Sequence, residues 1–284
     1  MALIPPQFVQ SNAQFDALFG SGSHTTVSTF SSNVTAGNLL ITFFIAENPN
    51  TLGQGDSVSI GAISDTVGST WHSVAASSVG FFPPAFSNTN IWYAFANASG
   101  ANTISVASSG TGPQTKSLRL DIAEWKNVGA FVEVLDVVST SNPATAPSLT
   151  TTQNNTLVIV CETDQGSVQT FSGKGWTIRI NSGSFGAPVL DNNVGQPGNT
   201  PSLSAANNTP VPYYAASLSF TSAPPTAVTN HNGFFEDYPG MPWMKNVAFL
   251  TRQYWDQGLS APYVGQIYPS PNTGGARSGQ TYPY

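Results

Sequence analysis

The sequence predicts an all-β protein, an antiparallel β-sandwich followed by an extended C-terminal arm that contains one short helix. Three observations predict it. Short stretches that alternate apolar and polar residues recur through most of the 284 residues, separated by Gly, Asn and Ser turn clusters. No useful helical period occurs before about residue 240. The chain also changes character at Pro224-Pro225, where Ser/Thr/Asn/Gly-rich strand sequence gives way to Tyr, Pro, Gly and Trp.

Residues 1–25 read as an extended N-terminal segment. Pro5-Pro6 forbids a helix start, and Gly20-Ser21-Gly22-Ser23 reads as a flexible break. Phe8, Phe15 and Phe19 are available to pin this segment onto the body. The sandwich then spans 26–223. Asn38 to Ala46 is its first clear strand. Leu39, Ile41, Phe43 and Ile45 point one way and Leu40, Thr42, Phe44 and Ala46 the other, and two apolar faces mark a central strand. Val58 to Ile63 and Thr70 to Ala75 flank the turn cluster Ser64 to Ser69. Asn90 to Ala96, Thr103 to Ala107 and Ser117 to Trp125 follow. A second series comprises Leu135 to Ser139, Thr156 to Glu162, Trp176 to Ile180, Pro188 to Asn192 and Tyr213 to Phe220.

The two series echo one another faintly. Gly37-Asn38-Leu39-Leu40-Ile41 resembles Asn154-Asn155-Thr156-Leu157-Val158-Ile159, and each is followed by a Trp-bearing strand, at Trp71 and Trp176. The intervals differ, so the echo points to two sheet halves more than to a tandem repeat.

Residues 224–284 form the arm, with a short helix near 242–257. Pro242 suits a first helical turn and Gly258 a stop, and Trp243, Val247, Leu250 and Tyr254 fall on one face. Trp255, Tyr263, Tyr268, Tyr282 and Tyr284 add amphipathic anchors of the kind that interfaces favour. These nine residues are the candidate partner-binding set.

Composition narrows the function. Charged residues make up 8% of the chain, against roughly a quarter in ordinary domains. The surface is therefore built of hydroxyls and amides, which suits lasting contact with neighbours or with sugars. Seventeen Phe, nine Tyr and six Trp argue against disorder for most of the chain. Net charge is −6 and the 8 basic residues are spread thinly, so neither nucleic acid nor an anionic membrane is an expected partner. The longest apolar run, Leu39 to Ala46, is far short of the ~20 residues of a membrane helix. The first residues carry no basic and apolar signal pattern, so synthesis in a cytoplasm is expected.

No constellation declares a chemistry. His24, His72 and His231 lack metal-ligand spacing. Asp121 and Glu124 lie in one strand on opposite faces, Glu162 and Asp164 share a face, and Glu236-Asp237 sits in a loop. Cys161, the only cysteine, lies in an apolar strand and reads as a buried thiol. Hard-oxygen loops at Glu47-Asn48-Pro49-Asn50 and Asp191-Asn192-Asn193 match no calcium motif. The expectation is no catalytic residue, no cofactor and no metal. Trp71 and Trp92 are the candidate glycan-stacking rings.

The order Gly37-Asn38-Leu39-Leu40-Ile41, Ser64-Asp65-Thr66-Val67-Gly68-Ser69-Thr70-Trp71, Ile91-Trp92-Tyr93-Ala94, Gly100-Ala101-Asn102-Thr103-Ile104 and Leu120-Asp121-Ile122-Ala123-Glu124-Trp125 resembles jelly-roll-like β-sandwich modules. Such modules occur in tailed-phage structural proteins and in bacterial surface proteins. The resemblance covers about residues 27 to 222 and implies a jelly-roll-like fold with no catalytic residue. Together with the charge-poor surface, the missing export signal and the Pro/Tyr-rich arm, it leads to the expectation of a non-enzymatic virion protein, a homo-oligomer (trimers favoured) that decorates or cements a phage capsid or tail against other virion proteins. The alternative expectation, for which Trp71 and Trp92 are the stacking candidates, is a carbohydrate-binding module or adhesin for host glycans.

Overall fold

A strand that is apolar on both faces needs a packed layer on each side, and the strand at Leu39–Asn48 has both. Its odd-numbered Leu39, Ile41, Phe43 and Ile45 enter one core, and its even-numbered Leu40, Phe44 and Ala46 enter another. The computed structural model describes residues 4–48, 57–81, 85–140, 144–164, 170–172, 175–180, 189–194, 198–199, 204–206 and 213–224. These strands belong to one compact unit, Leu3–Pro224. The second unit, Met1–Ala2 with Pro225–Tyr284, lies outside the described residues, and so does the helix expected near 242–257.

The first half comprises β1 (Gln7–Leu18), β2 (Gly22–Thr29), β3 (Leu39–Asn48), β4 (Ser57–Asp65), β5 (His72–Phe81), β6 (Ala85–Phe95), β7 (Thr103–Thr111) and β8 (Lys116–Lys126). They form an inner sheet, β1-β8-β3-β6-β5, and an outer sheet, β2-β7-β4, both antiparallel. Strands from the two ends of the half alternate across each sheet, the jelly-roll order. The second half comprises β9 (Val128–Ser139), β10 (Ala144–Thr145), β11 (Thr150–Thr151), β12 (Thr156–Asp164), β13 (Thr170–Ser172), β14 (Thr177–Ile180), β15 (Val189–Val194), β16 (Gly198–Asn199), β17 (Ser204–Ala206) and β18 (Tyr213–Ser222). Its inner sheet is β9-β18-β12-β15-β14 and its outer sheet β10-β17-β13, with β11 and β16 pairing beside them.

Strand for strand, the two halves have one topology. Register carries the equivalence to single residues. Leu39 pairs with Trp125 as Leu157 pairs with Phe220. A bulge follows Phe8 opposite Trp125, and another follows Phe131 opposite Phe220. A bulge between Ser73 and Ala75 has its counterpart between Ile178 and Ile180, which makes Trp71 and Trp176 equivalent. The turn before each central strand holds a residue in the left-handed region, Gly37 at φ 82 and Asn155 at φ 56. The echo in the sequence is therefore a tandem structural repeat, each half carrying an inner and an outer sheet, where the sequence pointed more to two sheet halves. Unequal loop lengths had hidden the repeat.

The inner sheets of the halves pack face to face. Their shared core holds Leu39, Ile41, Phe43, Ile91 and Trp125 from the first half, and Leu157, Ile159, Tyr214, Leu218 and Phe220 from the second. A core between β2-β7-β4 and the first inner sheet holds Leu40, Phe44, Val58, Ile104, Val106 and Leu120. A smaller one in the second half holds Ala144, Val160, Leu190 and Tyr213. Fully burying each large apolar side chain stabilises by about 1.5–3 kcal/mol.

Each strand expected from the sequence is present, several of them longer. The segment 1–25, however, is more than a lead-in. Gln7–Leu18 pairs along its length with β8, and Gly22–Thr29 edges the outer sheet, so residues 7–25 lie within the sandwich. Gln7 to Leu18 mixes Gln, Asn and Asp with its apolar residues because it is an edge strand with a half-exposed face.

Candidate functional site

Several ionisable side chains of the described body serve its own structure. Glu124 is buried on the outer side of the first inner sheet. Its carboxylate accepts from Gln10 Nε2 at 2.6 Å, Asn38 Nδ2 at 2.7 Å and the Thr35 backbone N–H at 3.1 Å. Gln10 in turn donates to the Ser32 carbonyl and accepts from the Ser32 N–H and hydroxyl, which ties the β2–β3 loop to the sheet. Lys116, also fully buried, donates to the carbonyls of Gly20, Thr111, Gly112 and Gln114 at 2.6–3.2 Å. Arg119 meets Asp121 through Nε to Oδ1 and Nη2 to Oδ2, both at 2.8 Å. Burial pushes the Asp121 carboxyl up to about 7, while the Arg119 charge and hydrogen bond pull the other way.

Between the halves, Trp125 Nε1 donates to Asp191 Oδ2 at 2.6 Å, and Arg179 Nε donates to the same oxygen at 3.0 Å. The Arg179 guanidinium stands 4.4 Å from the centre of the Phe8 ring, and Ser11 Oγ donates to the Arg179 carbonyl. The loop residue Asp191, expected to offer hard oxygens, is thus a strand residue that latches the two inner sheets. Among the described residues no group of three His, Cys, Asp or Glu is placed to hold a metal ion.

Cys161 is buried in the shared core. Its thiol is held well above the ordinary range, first by burial and then by the Asp121 charge, so it does not form a thiolate. His24 contacts Asp16 at 2.5 Å, and His72 stacks on Tyr93. The Asp16 carboxyl sits below its usual value: burial raises it, and the hydrogen bonds from His24 and Ala17 with the His24 charge outweigh that rise.

The two glycan-stacking candidates pack inward. Trp92 is 5% exposed within the outer core of the first half, which leaves no ring face for a sugar. Trp71 packs against the same core, half-buried. Alternation put Trp92 on a face, and only the outer sheet, laid over that face, decides that it is an interior one. The nine arm residues, Trp243, Val247, Leu250, Tyr254, Trp255, Tyr263, Tyr268, Tyr282 and Tyr284, lie outside the described residues.

The outer sheet of the first half offers a neutral face. The exposed face of β2-β7-β4 carries Ser23, Thr25, Ser59, Ser64, Ser105 and Ser109 among other small residues, and no charge. Its hydroxyls pair across strands, Ser59 with Ser109 at 2.7 Å, Ser57 with Thr111 at 2.8 Å and Thr29 with Thr103 at 2.9 Å. Exposed apolar side chains cluster on the edge strands, Val9 and Phe15 on β1 and Val132, Leu135 and Val138 on β9. Two concavities border these edges. One, about 190 Å³, lies among Phe15, Asp16, Glu47 and Arg119; the other, about 250 Å³, lies among Glu133, Thr151, Gln153 and Ser219.

Comparison with known proteins finds no family model, no curated protein and no solved structure that matches the chain.

Proposed function

We propose that the protein is a non-enzymatic structural subunit of a virion, a rigid β-sandwich block that decorates or cements a phage capsid or tail through its C-terminal arm. The observation that carries this reading is the use of charge in the body. Glu124, Lys116, Asp121, Arg119 and Asp191 all serve internal contacts, and the outer sheet face is a charge-free field of hydroxyls. A block of that kind is organised to hold its shape and to touch neighbours. The arm supplies the contacts, through Trp243, Val247, Leu250, Tyr254 and Trp255 and the terminal tyrosines, and a closed homo-oligomer, with a trimer favoured, is the natural product.

Deletion of residues 226–284 tests it. The shortened chain keeps the compact unit Leu3–Pro224 and is expected to be folded by circular dichroism, yet monomeric by light scattering where the full chain is oligomeric. A full chain that is itself monomeric, or a truncation that assembles as well as the full chain, refutes the role of the arm.

A further inference from the structure

The structural repeat provides an internal control for one of the two concavities. In the first half, the space beside the bulge that follows Phe8 is filled by Gln10 and Glu124, with Asn38 and the Thr35 backbone closing it. Register places Glu133 where Gln10 stands and Ser219 where Glu124 stands. Thr156 begins the central strand of the second half as Asn38 leads into that of the first, and Thr151 pairs with Gly198 as Val34 bridges Gly100. These same positions, Glu133, Ser219, Thr156 and the run Thr150–Gln153, line the cavity of about 250 Å³. A hydroxymethyl group stands where the first half has a full carboxylate side chain. The site that is self-filled in one half is open in the other.

We infer that this pocket binds one residue of a neutral sugar. In the first half the carboxylate is satisfied by three N–H donors, and in the second a ligand rich in hydroxyl donors takes their place around Glu133. The Thr151 and Thr156 hydroxyls, which donate to the carbonyls of Gly198 and Gln153, accept from sugar hydroxyls, and the amide of Gln153 donates to or accepts from further sugar oxygens. Val132 supplies an apolar edge for ring CH groups. No Lys, Arg or His lines the pocket, which disfavours anionic ligands, and its single carboxylate is too few for a divalent cation. The volume falls below that of drug-sized sites, in keeping with a single ring. This inference is independent of the arm and of assembly.

The test is saturation-transfer NMR on the full chain with glucose, galactose, mannose and N-acetylglucosamine, each alone at millimolar concentration. At least one is expected to receive transfer. The double variant Glu133→Gln with Ser219→Glu installs the first half's filling pair in the second half and is expected to lower that binding by about tenfold or more. Thr152→Tyr, which obstructs the lining from an exposed position, is expected to do the same without altering the sheet, and serves if the double variant does not fold. Absence of transfer to all four sugars in the wild type overturns the inference. So does binding that persists undiminished in a folded Glu133→Gln/Ser219→Glu or Thr152→Tyr protein.

Discussion

At the scale of single residues, the buried carboxyl of Asp121 gives the chain a pH signature. Its folded value lies near 7, against 3.8 for the free group. Between those values the unfolded chain has released this proton and the folded chain still holds it. The folded state then binds more protons, so this group makes stability fall as pH rises across that window and leaves it level above. The urea midpoint of the wild type should carry that downward slope, and Asp121→Asn, which keeps the shape and cannot ionise, should lack it. Equal slopes in the two proteins would refute the assignment. Trp125 makes a different contribution. Its Nε1 is one of two donors to the inward Asp191 oxygen, so Trp125→Phe leaves a buried carboxylate short of a partner and should cost about 1–3 kcal/mol in urea unfolding. Neither role was legible in the sequence. Alternation correctly set Asp121 and Glu124 on opposite faces and Arg119 beside Asp121, but that the Asp121 face is sealed from water and that Glu124 meets Gln10 depends on strands far away in the chain.

At the scale of elements, legibility followed burial. β3 and β12, apolar on both faces, are each the centre of a five-stranded sheet, and β3 was expected as a central strand for that reason. β1 was not seen as a strand because an edge strand needs only half an apolar pattern, and Pro5-Pro6 with Gly20-Ser21-Gly22-Ser23 bracketed it with loop signals. What holds it and β2 in place is again non-local. Lys116 at the start of β8 reaches the carbonyl of Gly20 between β1 and β2 and three carbonyls in the turn between β7 and β8. Gly20 and Gly112 there adopt φ 66 and 78, a backbone that points their carbonyls inward at little steric cost. Lys116→Met preserves the apolar stem and removes every donor. It should destabilise the protein by at least about 3 kcal/mol, since several buried carbonyls lose a charged partner together. Hydrogen exchange should show the β1–β2 and β7–β8 turns opening first, whereas a loss spread evenly over the sheets would contradict the cage.

At the scale of the whole molecule, the two halves relate as subunits of a twofold dimer do. β1 packs across β14 and β9 across β5, and since β1 corresponds to β9 and β5 to β14, exchanging the halves reproduces the contact. The aromatic packing follows the same logic, with Phe8 edge-on to Trp125 at 5.6 Å and Phe131 edge-on to Phe220 at 5.5 Å. In the sequence this symmetry survived only as the resemblance around Leu39 and Leu157 and the two tryptophans. The chain distance between equivalents shrinks steadily from Phe8/Phe131 through Leu39/Leu157 to Trp125/Phe220, and no fixed period remains to be found. Residues 1–126, produced alone, would expose Leu39, Ile41, Phe43 and Trp125 on the uncovered face of the inner sheet. A soluble β-sandwich does not leave so large an apolar face in water, and the face already fits a near copy of itself. The half is therefore expected to form a homodimer through this sheet, seen as twice the mass by light scattering. Ile41→Asp, in the middle of that face, should abolish the dimer and leave aggregate or unfolded chain. A stable, monodisperse monomer of residues 1–126 would show that the first half does not depend on its partner layer, and the repeated architecture would then be two independent sandwiches joined end to end.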